Sequence, residues 1–259
     1  MKVGLIQLNS GQNKKNNIHR TCGHIDKAID GNAKLIVLPE VYNYRGPLIG
    51  SDLYYKIAEN IPGESTQVLM EMAKTNNVWI LCGSLYEKGP NKKIYNSSIV
   101  INNEGKIIAK YRKIHLFKAI INGTIIDESE IFLSGEEPVV VDINGFKIGL
   151  SICFDLRFPE LYRKYYKNKV DVIAVPSSFT SRTGKDHWKP LLQARAIENH
   201  SFVLAPNQFG IDGNNVETYG HTMFIDNNGK TKTMNKDEEG ILYGIIDKKH
   251  DNKNYSIKL

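Results

Sequence analysis

Apolar residues in this chain come in short runs, and polar stretches long enough to be helices separate them, a rhythm that points to an α/β fold. The first run is Val3 to Leu8. Lys14 to Asp30 follows with helix-compatible composition, and a second strand falls at Leu35 to Leu38. A helix from Ser65 to Lys74 leads into a strand at Val78 to Cys82. Ile94 to Ile101 and Ile107 to Tyr111 flank Asn102-Asn103-Glu104-Gly105, while Val139 to Ile143 and Phe146 to Ile152 flank Asn144-Gly145. Both are hairpin signatures, because Asn and Gly tolerate the positive φ that tight turns require. Pro159 to Lys167 reads as a helix with proline in its first turn, Val172 to Val175 as a strand, and Asp186 as the N-cap of a helix reaching Asn199. Trp188, Leu191, Leu192 and Ile197 make the apolar side of that helix, and strands at Phe202 to Ala205, Met223 to Ile225 and Ile241 to Ile246 complete the pattern. Hairpins mixed with strand–helix–strand crossovers demand mixed sheets. No Pro/Gly/Ser-rich linker and no repeat divides residues 1–259, so one domain is predicted.

At 41% hydrophobic and 24% charged, the chain has the makings of a packed core and is not a low-complexity sequence. Lys and Arg outnumber Asp and Glu by 34 to 28, but they are scattered in pieces such as Lys92-Lys93 and Lys248-Lys249. A solvated surface is expected from that, and no nucleic-acid partner. Cys22, Cys82 and Cys153 lack metal-ligand spacing and are too few for a disulfide framework in a chain this size, which makes the reducing cytoplasm the expected compartment. The opening MKVGLIQLNSGQ holds an apolar run shorter than the roughly 7–15 residues of a signal-peptide core or the about 20 of a membrane span, so no membrane association is expected. No H-E-x-x-H, paired C-x-x-C, P-loop or G-x-G-x-x-G stands out, and neither a metal nor a cofactor is expected.

Three positions attract chemical interest. Cys153 lies where an apolar strand gives way to FDLRFPELYRK, a strand-to-helix junction whose backbone amides could favour a thiolate and bind an oxyanion. Taken alone it reads more readily as a packed core thiol, as Cys22 and Cys82 do. Glu40 follows an apolar strand in Leu38-Pro39-Glu40 and could serve as a base; Lys113 ends another strand and, alone, reads as a solvated strand end. His115, His187 and His221 offer the competing Cys-His scheme, against which stands their reading as hydrogen-bonded structural imidazoles.

Taken together, LPE at Glu40, KYRKIHLF around Lys113 and GLSICFDLRFPE around Cys153 resemble, in order and in local sequence, the Glu-Lys-Cys signature of the nitrilase (carbon–nitrogen hydrolase) superfamily. The resemblance extends over almost the whole chain, through MKVGLIQLNS, TGKDHWKPLLQARAIEN and YGHTMFIDNNG, and is nearest to the branch holding ω-amidase and deaminated glutathione amidase. It implies a four-layer αββα sandwich, with dimers formed through helices near the active site, here Pro159 to Lys167 and the end of Asp186 to Asn199. It further implies Cys153 as nucleophile, Glu40 as general base, Lys113 as the oxyanion's cation and the Phe154 N–H as a second oxyanion donor. On this reading the Lys113 ammonium favours the Cys153 thiolate.

Asp127-Glu128-Ser129 fits the slot of the branch's second pocket acid, although Lys118 stands where the branch has a carboxylate. Arg157, four residues after the nucleophile, is by its fork geometry a carboxylate clamp or the structural partner of Glu160 or another acid, and Arg182 is a second candidate clamp; Thr180 and the Tyr42 to Arg45 loop are further expected pocket walls. The implied reaction is hydrolysis of a small ω-amide of a 2-oxo acid or deaminated peptide to acid and ammonia through a thioester. Deaminated glutathione is favoured, then α-ketoglutaramate, then N-carbamoyl amino acids and nitriles. The competing non-enzyme readings are a catalytically silent binding subunit and a redox-sensing thiol.

Overall fold

The computed structural model describes residues 1–48, 53–121 and 124–248. Its helices are α1 (Lys14–Asp30), α2 (Leu53–Ile57), α3 (Glu64–Asn76), α4 (Pro159–Lys167) and α5 (Ser181–Asn199). Alternation along the strands decides how they are layered. In Lys2–Gln7, Val3 and Leu5 join one buried cluster and Ile6 another; in Leu35–Val37, Leu35 and Val37 part from Ile36 in the same way.

The first sheet runs Gly240–Ile245, Lys2–Gln7, Leu35–Val37, Trp79–Leu81, Ile94–Ile101, Leu85–Lys88, with Ile107–Arg112 also paired to Ile94–Ile101. The second runs Thr231–Thr233, Met223–Ile225, Phe202–Ala205, Val172–Ala174, Phe146–Leu150, Val140–Ile143. Each has a parallel centre and antiparallel flanks. Leu5, Val37 and Leu81 from the first sheet meet Leu150, Ala174 and Leu204 from the second in the shared core. The opposite face of the first sheet is covered by Ile25 and Ala28 of α1 and Leu69 and Ala73 of α3, and that of the second by Tyr162 and Tyr165 of α4 and Trp188 and Leu192 of α5. The order of layers is therefore α, β, β, α, with the central strands buried on two faces, which is why Leu35–Val37, Val172–Ala174 and Phe202–Ala205 read as continuous apolar runs.

Helices α1 and α4 coincide with the predicted spans, and the Asn144-Gly145 turn takes φ 51° and 80° as its residues allow. Helix α5 corrects the expectation: it begins at Ser181, with Thr180 in the extended N-cap position, and Asp186 lies inside it. The sequence hid this because Gly184 and Pro190 both disfavour helix interiors. Packing overrides them, since Gly184 lies against Tyr219 so closely that a Cβ would come within 2.3 Å of its ring. Trp188 and Leu192 are buried as expected, but Ile197 is 49% exposed. The strand Leu85–Lys88 escaped prediction because Glu87 and Lys88 interrupt its apolar pattern, and so did the short ribbons Lys118–Ile121 with Thr124–Asp127 and Phe209–Ile211 with Glu217–Tyr219. Among the described residues no helix is long and apolar enough to cross a membrane.

Candidate active site

Strand ends of both sheets converge on one cavity of about 480 Å³. Glu40 lies three residues beyond Leu35–Val37, Lys113 follows Ile107–Arg112 directly, and Cys153 lies three residues beyond Phe146–Leu150; all three line the cavity. Cys153 opens a 3₁₀ turn, Cys153–Arg157, with φ +45°, a conformation non-glycine residues rarely adopt. Its N–H donates to Pro176 O at 3.0 Å and that of Asp155 to Ile152 O at 3.0 Å. The Phe154 N–H between them is taken up by no carbonyl among the described residues.

Each charged group is held by several others. One Glu40 oxygen accepts from Asn96 Nδ2 at 2.9 Å and the other from the Ser178 N–H at 2.8 Å, and the charge of the carboxylate acts on the Cys153 thiol. Lys113, 2% exposed, has Nζ 3.0 and 3.2 Å from the Glu128 oxygens and 3.6 Å from Glu40. Burial disfavours the Lys113 ammonium, but the charges of Glu128, Glu40 and Cys153 outweigh it and hold the amine protonated well above the ordinary lysine range. Burial pushes the Cys153 thiol up, Glu40's charge pushes it further, and Lys113 opposes both. Lys113 favours the Cys153 thiolate, as the resemblance implied, but burial and the charge of Glu40 outweigh it and hold the thiol up.

Glu128 stands at the end of the ribbon Lys118–Ile121 with Thr124–Asp127, and one of its oxygens also accepts the Phe117 N–H at 2.7 Å. Lys118, the departure from the branch pattern, pairs with Asp127 at 2.7 Å across that ribbon. Asp155, fully buried, ties the Cys153 turn to the Lys113 segment by accepting from Tyr111 Oη, His115 N and Ile152 N, with His115 Nδ1 2.7 Å away. His115 is thus bound to Asp155 and stacked on Phe158, and His221 Nδ1 meets Tyr219 O at 2.7 Å.

Thr180 and Arg157 line the cavity; Arg157 lies over the Phe154 and Phe179 rings, 3.3 Å from His187 Nδ1, and does not pair with Glu160. Two other expected pocket residues lie elsewhere. Tyr42 is fully buried in the core, donating to Ser65 O at 3.4 Å, because the chain after Glu40 turns inward at Tyr42 and returns to the cavity at Arg45. Arg182 is exposed on the first turn of α5 and does not line the cavity. Sequence reasoning missed Asn96 and Ser178, which carry no local signal; Arg45 ends the loop expected as a pocket wall and does line the cavity, and Asp155 was visible within CFDLRFPE. Among the described residues no group of three or more His, Cys, Asp or Glu could hold a metal ion.

Comparison with known proteins places this geometry in context. The carbon–nitrogen hydrolase family model matches residues 2–250. Deaminated glutathione amidase of Dictyostelium discoideum is 38% identical over 88% of this chain and 81% of its own length. Omega-amidase NIT2 of Mus musculus is 35% identical over 96% of this chain and 89% of its own. Among solved structures, Saccharomyces cerevisiae Nit3, a member of branch 10 of the nitrilase superfamily, superposes with TM-score 0.84 at 32% identity, covering 96% of this chain and 90% of that one.

Proposed function

The chain belongs to the carbon–nitrogen hydrolase family, and from that premise we propose that it is a thiol amidase acting on ω-amides of 2-oxo acids, deaminated glutathione first among them. One observation carries the reading: a half-buried thiol, a carboxylate whose charge acts on it and an ammonium held between two carboxylates meet at the wall of a single cavity. The D. discoideum relative's name supports deaminated glutathione, and the mouse relative's supports an ω-amide substrate more generally.

In the proposed reaction Cys153 Sγ attacks the amide carbon while its proton passes to Glu40, and the carbonyl electron pair moves onto oxygen. Lys113 Nζ and the unclaimed Phe154 N–H stabilise that oxyanion. Collapse breaks the carbon–nitrogen bond, and the amine leaves with the proton from Glu40: ammonia from a primary amide, a peptide amine from deaminated glutathione. Glu40 then takes a proton from water as the oxygen attacks the thioester, and the carbon–sulfur bond breaks to release the acid and restore the thiol. Glu128 keeps Lys113 charged and aimed, which makes it a positioning residue. Arg157 takes the carboxylate of the 2-oxo acid, a role supported by a guanidinium that meets no carboxylate within 4 Å among the described residues.

The same reading has the chain working in the cytoplasm as a homodimer that pairs through α4 and the end of α5; its free cysteines and the exposed Ile197 support it. The test is turnover of deaminated glutathione, α-ketoglutaramate, an N-carbamoyl amino acid and a simple nitrile, by wild type and Cys153→Ala, following the acid product and the released amine. Acid release from a 2-oxo-acid ω-amide by wild type alone is expected. No turnover of any of the four by folded wild type overturns the reading.

A further inference from the structure

Arg45 is the cavity residue whose chemistry the proposed reaction does not use. Its side chain is 4% exposed, yet Nη1 is buried with no hydrogen-bond partner among the described residues. Nη2 donates to Asp212 Oδ2 at 3.0 Å. A buried guanidinium with a donor left over is costly to keep unless something completes it. Asp212 cannot do so unaided. Its Oδ1 already accepts the Asn214 and Val216 N–H groups at 2.8 and 2.9 Å, so the carboxylate is committed to its own turn and fixes one arm of the fork. Gly213 presses that turn onto the Arg45 backbone: a Cβ there would come within 2.4 Å of the Arg45 carbonyl oxygen. Arg45, Asp212, Asn214 and Val216 all line the cavity that holds Cys153.

Position then tells which part of a substrate Arg45 would meet. Arg157 stands on the nucleophile's own turn, with the second sheet. Arg45 stands five residues after Glu40, on the loop leaving the first sheet, near enough to feel the charges of Glu40 and Cys153. In the proposed reaction, on which this inference rests, Glu40 hands its proton to the departing nitrogen, so the amine half of the substrate extends along Glu40's side.

We propose that Arg45, aimed by Asp212, binds a carboxylate on the amine half of the substrate and so selects amides whose leaving amine is itself an acid, a peptide terminus above all, over primary amides. The substrate would then carry an acid at each end, one for Arg157 and one for Arg45.

The experiment compares deaminated glutathione with its C-terminal carboxamide, equal in size and lacking only that charge, alongside α-ketoglutaramate, using wild type and Arg45→Met. Wild type is expected to favour the free acid in kcat/KM by about tenfold or more, mostly through KM, as a charge-assisted hydrogen bond would give. In Arg45→Met that preference collapses toward one, a change of ratio that mere loosening of the loop would not produce. Should Arg45→Met fail to fold, Arg45→Gln, which can still bond Asp212, serves with the same criterion. Wild type indifferent between acid and carboxamide, a variant that keeps the preference, or wild type turning over α-ketoglutaramate but neither glutathione derivative overturns the inference alone. Inactivity on all three overturns the amidase reading and this inference with it.

Discussion

Cys82 and Cys153 each lie just beyond a sheet strand, Trp79–Leu81 in the first sheet and Phe146–Leu150 in the second, and what surrounds them could hardly differ more. Cys82 belongs to the apolar cluster between the first sheet and its helices; its thiol lies 3.9 Å from Ile80 O, and burial alone pushes it up. Cys153 is pushed up by burial as well, but the charge of Glu40 pushes it further and that of Lys113 opposes the rise. A strand-end position and surroundings that push the thiol up are common to both, so neither makes a thiol useful. The difference lies in a base that can remove the proton and a cation that can receive the charge formed next, and both come from other strands.

Replacing each cysteine by alanine is the sharpest way to break this comparison. Cys153→Ala should lose about 10⁴-fold or more of amide hydrolysis. Cys82→Ala should keep its turnover and lose about 1 kcal/mol of stability in a denaturant melt, the ordinary cost of a trimmed core side chain. Equal losses of activity would erase the distinction. Next in size is the cation. Lys113→Ala should lower kcat by about 10²–10³, the effect of removing an oxyanion donor. Glu128→Gln, which still offers an acceptor to Lys113, should lose less; turnover at the wild-type level would remove Glu128 from the machinery.

The smallest expected effect is a displaced pH profile. Because the Cys153 thiol is raised, its alkylation by iodoacetamide should keep climbing with pH above about 8.5, where an ordinary cysteine begins to level off. Lys113→Ala, having lost the charge that opposes the rise, should move the profile further upward. Cys82 should stay unlabelled until the protein unfolds. Mass mapping of the labelled thiol against pH decides this, and a Cys153 profile that levels off at or below the ordinary range contradicts the account.

The elements that bring these groups together were legible where the local signal is physical and short-ranged. Leu35 to Leu38, Val172 to Val175 and Phe202 to Ala205 announced themselves because strands buried on both faces must be apolar throughout. Asn144-Gly145 announced its turn because few other residues enjoy positive φ. The start of α5 did not, since the packing of Gly184 on Tyr219 is decided by a residue 35 positions away. Tyr42 misled for a related reason: nothing in VYNYRG says which aromatic turns inward and which residue returns to the cavity.

The sequence by itself determined the alternation of elements, the mixed sheets that follow from it and, through three short motifs and the Asp127-Glu128-Ser129 segment, the candidacy of Glu40, Lys113, Cys153 and Glu128. These depend on periodicity, turn chemistry and the kinds of side chain present, all of which act over a few residues. Tertiary structure alone decided that the Cys153 thiol is raised rather than lowered, that Asn96, Ser178 and Asp155 hold the reacting groups, and that Arg45 rather than Tyr42 or Arg182 reaches the cavity. Burial, the balance of charges within a few ångströms and the partner left for each hydrogen bond are sums over residues distant in the chain, and they take values only once the two sheets have closed on each other.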